Sequence, residues 1–390
     1  MKKVLIIVGI FLFIGLISFI IYDSNKLKVD NTKFKLKNSE IEVFKTYKLS
    51  ELFDEFNGSL ENDYQIYEEE LKNKTYEFLY KYKGKNKKGI INLDIVDKTP
   101  PVTILRNSYS VYLDYNDDLT KQILVADNYD NKLKSEIVGE YNYRELGNYD
   151  VTYKVTDSSG NVTNTPFTLK VIERPKKVAS SSSYISFENA IKKYKNDNTM
   201  IGLDISKWQQ DIDFNKIKEA GCEFVFIRVG TQTGYNEDSK IDSYFKKNIE
   251  EAIKAGIKVG IYYYSYATNK DEAKKQALWV IDQIKDYKID LPVVFDWESW
   301  SDFNSLHINL HNFNNMANEF LKTIENAGYQ AALYSSKYYL EKIWETNYPI
   351  WLAHYTDKTD YSGKYFLWQM CSDGRIDGIK GNVDIDILYK

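Results

Sequence analysis

Five carboxylates stand where apolar runs of the chain end. Asp204 closes Met200-Ile-Gly-Leu-Asp-Ile205, Asp296 and Glu298 close the run from Val293, and Asp384 and Asp386 lie within Val383 to Leu388. Runs this rich in Val, Ile and Phe read as β-strands. Residues two apart in a strand share a face, so Asp296 and Glu298 project together, with Trp297 opposite; Asp384 and Asp386 pair likewise. Stability does not explain acidic ends on such strands, because desolvating a carboxylate is costly. Crowded carboxyl groups have two chemical uses. In the first, one stays protonated because a neighbour's charge raises its pKa, and gives its proton to a leaving glycosidic oxygen. The other then serves as nucleophile, base or support for a substituent on the sugar. The second use is binding a hard cation. Spacing alone leaves both open. Tyr262, Tyr264, Trp297, Trp351 and Trp368 lie near the same strand ends. They are read equally as platforms for sugar rings or as core.

Such a set must be held by a frame. From Thr199 apolar β-type runs alternate with helical patterns. The strand candidates are Met200 to Ile205, Phe224 to Val229, Val259 to Tyr264, Val293 to Trp297, Ala331 to Tyr334, Ile350 to Ala353, Phe366 to Gln369 and Val383 to Leu388. Helical patterns cover Asn215 to Ala220, Asp242 to Ala255, Asp271 to Ile284 and His311 to Ala327, with Gly221 and Gly256 as C-caps. Eight strands with interleaved helices predict an α/β, TIM-like closed parallel barrel over 199–390, its site at the C-terminal ends of the strands. Helices thin out towards the end, so the barrel is expected to be irregular.

With 390 residues the chain should hold two or three domains, and 43% hydrophobic residues suffice for their cores. A net charge of −4 gives no basic face for nucleic acid. Cys222 and Cys371 make neither a disulfide framework nor a metal knuckle, and His307, His311 and His354 lack metal-ligand spacing. Neither a metal nor a cofactor is expected.

The N-terminal side predicts a tether. Lys2 and Lys3 precede nineteen residues, 4–22, that are apolar apart from Ser18 and weakly broken by Gly9 and Gly15. That length spans a bilayer, and no small-residue cleavage site follows, so an uncleaved transmembrane helix is expected rather than a removed signal. Residues 1–3 would be cytoplasmic and everything beyond the helix extracellular. Period-two alternation predicts small all-β sandwich domains at 31–97 and 98–172, the second opened by Lys98-Thr-Pro-Pro101. Tyr76-x-x-x-Tyr80-Lys81 recurs as Tyr149-x-x-x-Tyr153-Lys154, a shift of 73 residues, which marks the two as copies of seven or so strands. They read as spacers or as binding modules, and the lack of a convergent site favours spacers. Residues 173–198 read as a linker, with a short helix at its end.

Seven motifs in order now carry a resemblance. They are Asp204-Ile-Ser206, Phe226-Ile-Arg-Val-Gly230, Gly260-Ile-Tyr-Tyr-Tyr-Ser265, Leu291-Pro-Val-Val-Phe-Asp-Trp-Glu298, Trp351-Leu-Ala-His-Tyr355, Trp368-Gln369 and Gly381-Asn-Val-Asp384. Together they resemble glycoside hydrolase family 25, the lysozymes (N-acetylmuramidases). The resemblance implies a modified β/α barrel that cleaves the β-1,4 bond between N-acetylmuramic acid and N-acetylglucosamine with retention. It implies Glu298 as proton donor, Asp296 as nucleophile or orienter of the substrate acetamido group, and Asp204 and Asp384 as further acids of the cleft. Arg228 and Tyr264 fall where the family has residues near the sugar, and Tyr262, Trp297, Trp351, Tyr355, Trp368 and Gln369 are further expected sugar contacts. Asp386 stands where Asn is more usual and receives no role; Met370-Cys371 stands where an aromatic is more usual. The segments around 98–172 resemble bacterial immunoglobulin-like repeats, and 31–97 does so more weakly. The partners implied are peptidoglycan glycan strands and, through the helix, the cytoplasmic membrane. A catalytically silent wall-binding or adhesion protein is the competing expectation, against which the intact Asp-Trp-Glu298 argues.

Overall fold

A computed structural model describes residues 27–175 and 184–390. The expected membrane helix at 4–22 lies outside the described residues; among those described, no helix is long and apolar enough to cross a membrane. The chain divides into two compact units at Thr99/Pro100.

In the first unit, alternation over Asn73–Tyr82 (β3) and Lys85–Val96 (β4) builds a long hairpin. Its turn uses Lys83 and Gly84 at φ 49° and 73°, the left-handed pair that suits a tight hairpin. Glu40–Glu42 (β1) runs parallel to β4, and Ser59–Leu60 (β2) pairs with β3, giving the order β1-β4-β3-β2.

The second unit opens with the same design. Its strands are Val102–Ile104 (β5), Ser108–Tyr112 (β6), Leu124–Ala126 (β7), Lys134–Val138 (β8), Gly147–Thr156 (β9) and Val162–Ile172 (β10). The larger sheet has the order β6-β10-β9-β8, again with its outer strand parallel to the second arm of the hairpin. At the shift of 73 residues, buried Phe78 and Tyr80 correspond to buried Val151 and Tyr153. Each tyrosine hydroxyl donates to a backbone carbonyl, Tyr80 to Asp30 at 2.6 Å and Tyr153 to Thr120 at 3.0 Å. This sandwich has six strands, with β5 and β7 as a separate pair, rather than seven or so. Nor does it stand off as a spacer. Leu124 and Ala126 are buried in the apolar layer that wraps the barrel.

The linker also proves shorter than expected. Ile185–Ser186 (β11) pairs with a barrel strand, and the helix Phe187–Tyr194 (α1) is capped by Ser186 and buries Phe187 and Ala190 against the barrel. An apolar helical face at the right distance from the first barrel strand outweighs the linker-like composition before it.

Eight strands close the barrel: Thr199–Ile205 (β12), Phe224–Thr231 (β13), Lys258–Tyr264 (β14), Val293–Asp296 (β15), Ala331–Ser336 (β16), Ile350–Ala353 (β17), Leu367–Arg375 (β18) and Val383–Tyr389 (β19). β12 to β18 run parallel in chain order, but β19 is antiparallel to both β18 and β12. The wholly parallel barrel predicted from alternation is thus corrected at its last strand. Only the seven residues 376–382 join β18 to β19, too few for the crossover that a parallel neighbour needs. The helices Phe214–Glu219 (α2), Phe245–Lys254 (α3), Lys270–Ile284 (α4), Phe303–Leu306 (α5), Leu310–Asn326 (α6) and Lys337–Leu340 (α7) cover the outside. Gly221 and Gly256 end α2 and α3 at φ 97° and 69°, as capping glycines should. Inside, Phe224, Phe226, Val294 and Leu367 fill the lower barrel. A Cβ on Gly260 would lie 2.4 Å from the Phe226 ring, so glycine there makes room for that core aromatic.

Candidate active site

Strand register assembles the site. Tyr264, Asp296, Tyr334 and Trp351 are successive partners across β14, β15, β16 and β17, and Asp204 faces Asp384 across β12 and β19. Alternation turns these side chains into the barrel at its C-terminal end, where they line a cleft of about 240 Å³. Asp204, Asp296, Glu298, Asp384, Arg228, Tyr262, Tyr264, Trp351, Tyr355 and Gln369 all reach it.

Two expected sugar contacts do not. Trp297 is fully buried in the layer between barrel and helices, where Nε1 donates to Ala267 O at 3.1 Å. Trp368 is buried on the same outer side and donates to His354 O at 2.8 Å. The physical reason is alternation: if Asp296, Glu298 and Gln369 face the cleft, their chain neighbours Trp297 and Trp368 face away.

The carboxyl groups form a ladder in depth. Asp386, assigned no role from sequence, is the deepest: it is fully buried, and Oδ1 accepts from Trp351 Nε1 at 2.8 Å. Burial first, then the charge of Asp384, pushes its pKa well up. Asp204, buried above it, accepts from Gln369 Nε2 at 2.7 Å, while Gln369 Oε1 accepts the hydroxyls of Tyr334 at 2.9 Å and Tyr355 at 3.0 Å. Burial and the Asp386 charge raise Asp204 against the pull of that amide. Asp384 is pushed up to about 9, by burial and then by Asp204.

Asp296 and Glu298 form the upper pair. No N–H or hydroxyl of the described residues reaches the buried Asp296 Oδ1. The carboxyl that acts on it most strongly is that of Glu298. Burial, then the charges of Glu298 and Asp204, raise Asp296, and the Arg228 guanidinium opposes them. Glu298 is also raised by burial, with Asp296 pulling the other way. Protein atoms crowd Glu298, yet its side chain remains exposed to solvent at the cleft mouth. Water reaching that carboxyl screens it, so Glu298 is raised less than Asp296. Two carboxyls that interact this way titrate as a pair.

Arg228 is not free to grip a substrate anion. Its Nε and Nη2 donate to Asp242 at 2.9 and 2.7 Å in a buried ion pair. Asp242 also accepts Lys207 N–H at 3.1 Å and so fixes the turn that follows β12. That turn presents Trp208, 73% exposed at the cleft edge. Trp208, Tyr334, Ser206, Gln209 and Ser372 line the cleft without having been singled out from sequence. Tyr334 was findable, as the last residue of the predicted fifth strand. Trp208 lies in a 3₁₀ turn, Lys207–Gln209, where no periodicity marks a face.

Comparison with known proteins matches this part of the chain. Residues 203–379 fit the family model for glycosyl hydrolases family 25. The chain is 27% identical over 191 residues to an autolytic lysozyme of Clostridium acetobutylicum, covering 48% of this chain and 55% of that protein. It is 27% identical over 203 residues to lysozyme M1 of Streptomyces globisporus, covering 47% and 65%. The chain thus spans little more than half the length of the first of these relatives. Among solved structures, a family 25 glycosyl hydrolase from Bacillus anthracis aligns at 21% identity and a TM-score of 0.45, covering 55% of this chain and 95% of that one. Residues 203–379, which hold Asp204, Asp296 and Glu298, match glycosyl hydrolases family 25, and Asp384 lies just beyond the matched span.

Proposed function

We propose that the barrel is a muramidase, which cleaves the β-1,4 bond between N-acetylmuramic acid and N-acetylglucosamine of peptidoglycan with retention, using Glu298 as general acid. The single observation that carries this reading is the placement of Asp296 and Glu298 together in a carboxylate-lined cleft, with Glu298 exposed to solvent. The match to family 25 and the lysozyme names of the relatives support it.

The geometry suggests how the steps run. A glycan strand entering the cleft displaces water from Glu298. Its carboxyl then loses screening and holds the proton more firmly until the leaving oxygen takes it. Asp296 acts from the same side as Glu298. Asp296 ends its strand two residues before Glu298, and both line the cleft. In this reading Asp296 acts as nucleophile or orients the substrate acetamido for internal attack. Asp204 and Asp384 line the same cleft and extend its acid wall beside the sugar. Trp208, Tyr264, Tyr334 and Tyr355 offer the sugar platforms.

In the same reading, residues 4–22 anchor the chain in the cytoplasmic membrane, and two immunoglobulin-like domains precede the barrel on the wall side. Protease accessibility of the barrel in intact cells tests that arrangement. Digestion of purified peptidoglycan tests the chemistry. New muramic-acid reducing ends, formed first as the β anomer, are expected; new glucosamine ends or inverted product would overturn the reading.

A further inference from the structure

The loop that carries Glu298 is bonded from outside the barrel. Among the described residues β7 is an edge strand that pairs only with β5, so backbone groups on its other side need partners. The Asn304 side chain supplies two. Oδ1 accepts from Val125 N–H at 3.0 Å, and Nδ2 donates to Ile123 C=O at 2.9 Å, as a neighbouring strand would. The turn after β7 meets the start of α6. Leu310 N–H donates to Asp127 C=O at 2.7 Å, and Asn309 Nδ2 donates to Tyr129 C=O at 2.7 Å. First-turn amides have no acceptor within their helix. The Asp127 carbonyl therefore completes a cap that Asn309 Oδ1 begins at Asn312 N–H, 2.8 Å away. Between these anchors His307 holds φ 51°, a left-handed conformation that a non-glycine residue keeps only where its surroundings impose it.

We infer that the second β domain is a positioning element of the active site, and that Asn304 is a positioning residue through which it fixes Glu298. The barrel pins the first part of the loop. Trp300 stacks on Tyr339 at 3.7 Å, and Tyr235 OH donates to Asp302 at 2.9 Å. Residues 123–129 of the β domain pin the rest, through Asn304, Asn309 and Leu310. This inference rests on Glu298 being the general acid, since a reacting carboxyl tolerates little displacement.

Hydrogen exchange and kinetics on the full chain test it together. In Asn304→Ala, backbone amides of residues 298–311 should exchange faster while those of the barrel strands do not. The kcat on peptidoglycan should fall by about tenfold to a hundredfold with KM nearly unchanged. Asn309→Asp keeps the helix cap but loses the donor to Tyr129; it should show a smaller change of the same kind, and it decides the matter if Asn304→Ala does not fold. Unchanged exchange in the loop would overturn the inference, as would faster exchange with unchanged kcat. Should the wild-type chain release nothing from peptidoglycan, the muramidase reading fails. The positioning role of the β domain then stands or falls on loop exchange alone.

Discussion

Gln369 donates its side-chain amide to Asp204 across 2.7 Å and turns its carbonyl to the hydroxyls of Tyr334 and Tyr355. One neutral side chain thereby ties a buried acid to two aromatic walls of the cleft. Its glutamine identity supplies a donor and an acceptor at once, which no carboxylate or apolar residue can do.

Gln369→Leu should therefore be costly out of proportion to its size. It strips Asp204 of a donor and Tyr334 of an acceptor, and each buried group left unpaired costs about 1–3 kcal/mol. A fall in kcat/KM of about tenfold to a hundredfold is expected, with the fold retained. Steady-state kinetics beside a thermal melt checks this; unchanged kinetics would show that the network plays no part in turnover.

Asp386 shapes stability rather than chemistry. Its folded pKa is raised, so between about pH 4 and that raised value the folded chain keeps a proton that the unfolded chain releases. Stability must then fall as pH rises through that window. Asp386→Asn keeps an acceptor for Trp351 and removes the titration. Its Tm should exceed that of the wild type at pH 7, and the gain should vanish towards pH 4. Melts at both pH values decide it; an equal difference at each would contradict the assignment.

The charge of Asp204 helps to raise Asp296. In Asp204→Asn that contribution is lost, so the pair titrates at lower pH. The alkaline limb of the kcat/KM profile should move to lower pH, together with a loss of rate. A limb that stays in place would mean that the observed titration belongs to another group.

Two tryptophans should behave in opposite ways. Trp208, exposed beside the cleft, is expected to bind sugar: Trp208→Ala should raise KM roughly tenfold and leave Tm nearly unchanged. Trp297 is core, and Trp297→Ala should cost about 3–5 kcal/mol of stability. Kinetics and denaturant unfolding of the two variants separate the roles.

What sequence made legible follows from periodicity. Strand alternation placed Asp296 with Glu298 and Asp384 with Asp386, and the structure brings all of them to one end of one barrel. Trp297 and Trp368 were expected as sugar contacts, but the same alternation turns them away, since each neighbours a residue that faces the cleft. Pairing of Gln369 with Asp204, 165 positions apart, has no local signal. Neither has Asn304 on Val125, 179 apart. The direction of β19 was readable after all, from the short connection before it.

The most direct test of the central claim is release of soluble fragments from purified peptidoglycan by the wild-type chain and by Glu298→Gln, each shown to be folded. Glutamine keeps the size of the side chain and removes the acidic proton donor at this position. The expected result is release with new muramic-acid reducing ends by the wild type and none above background by the variant. Undiminished release by Glu298→Gln would contradict Glu298 as the general acid.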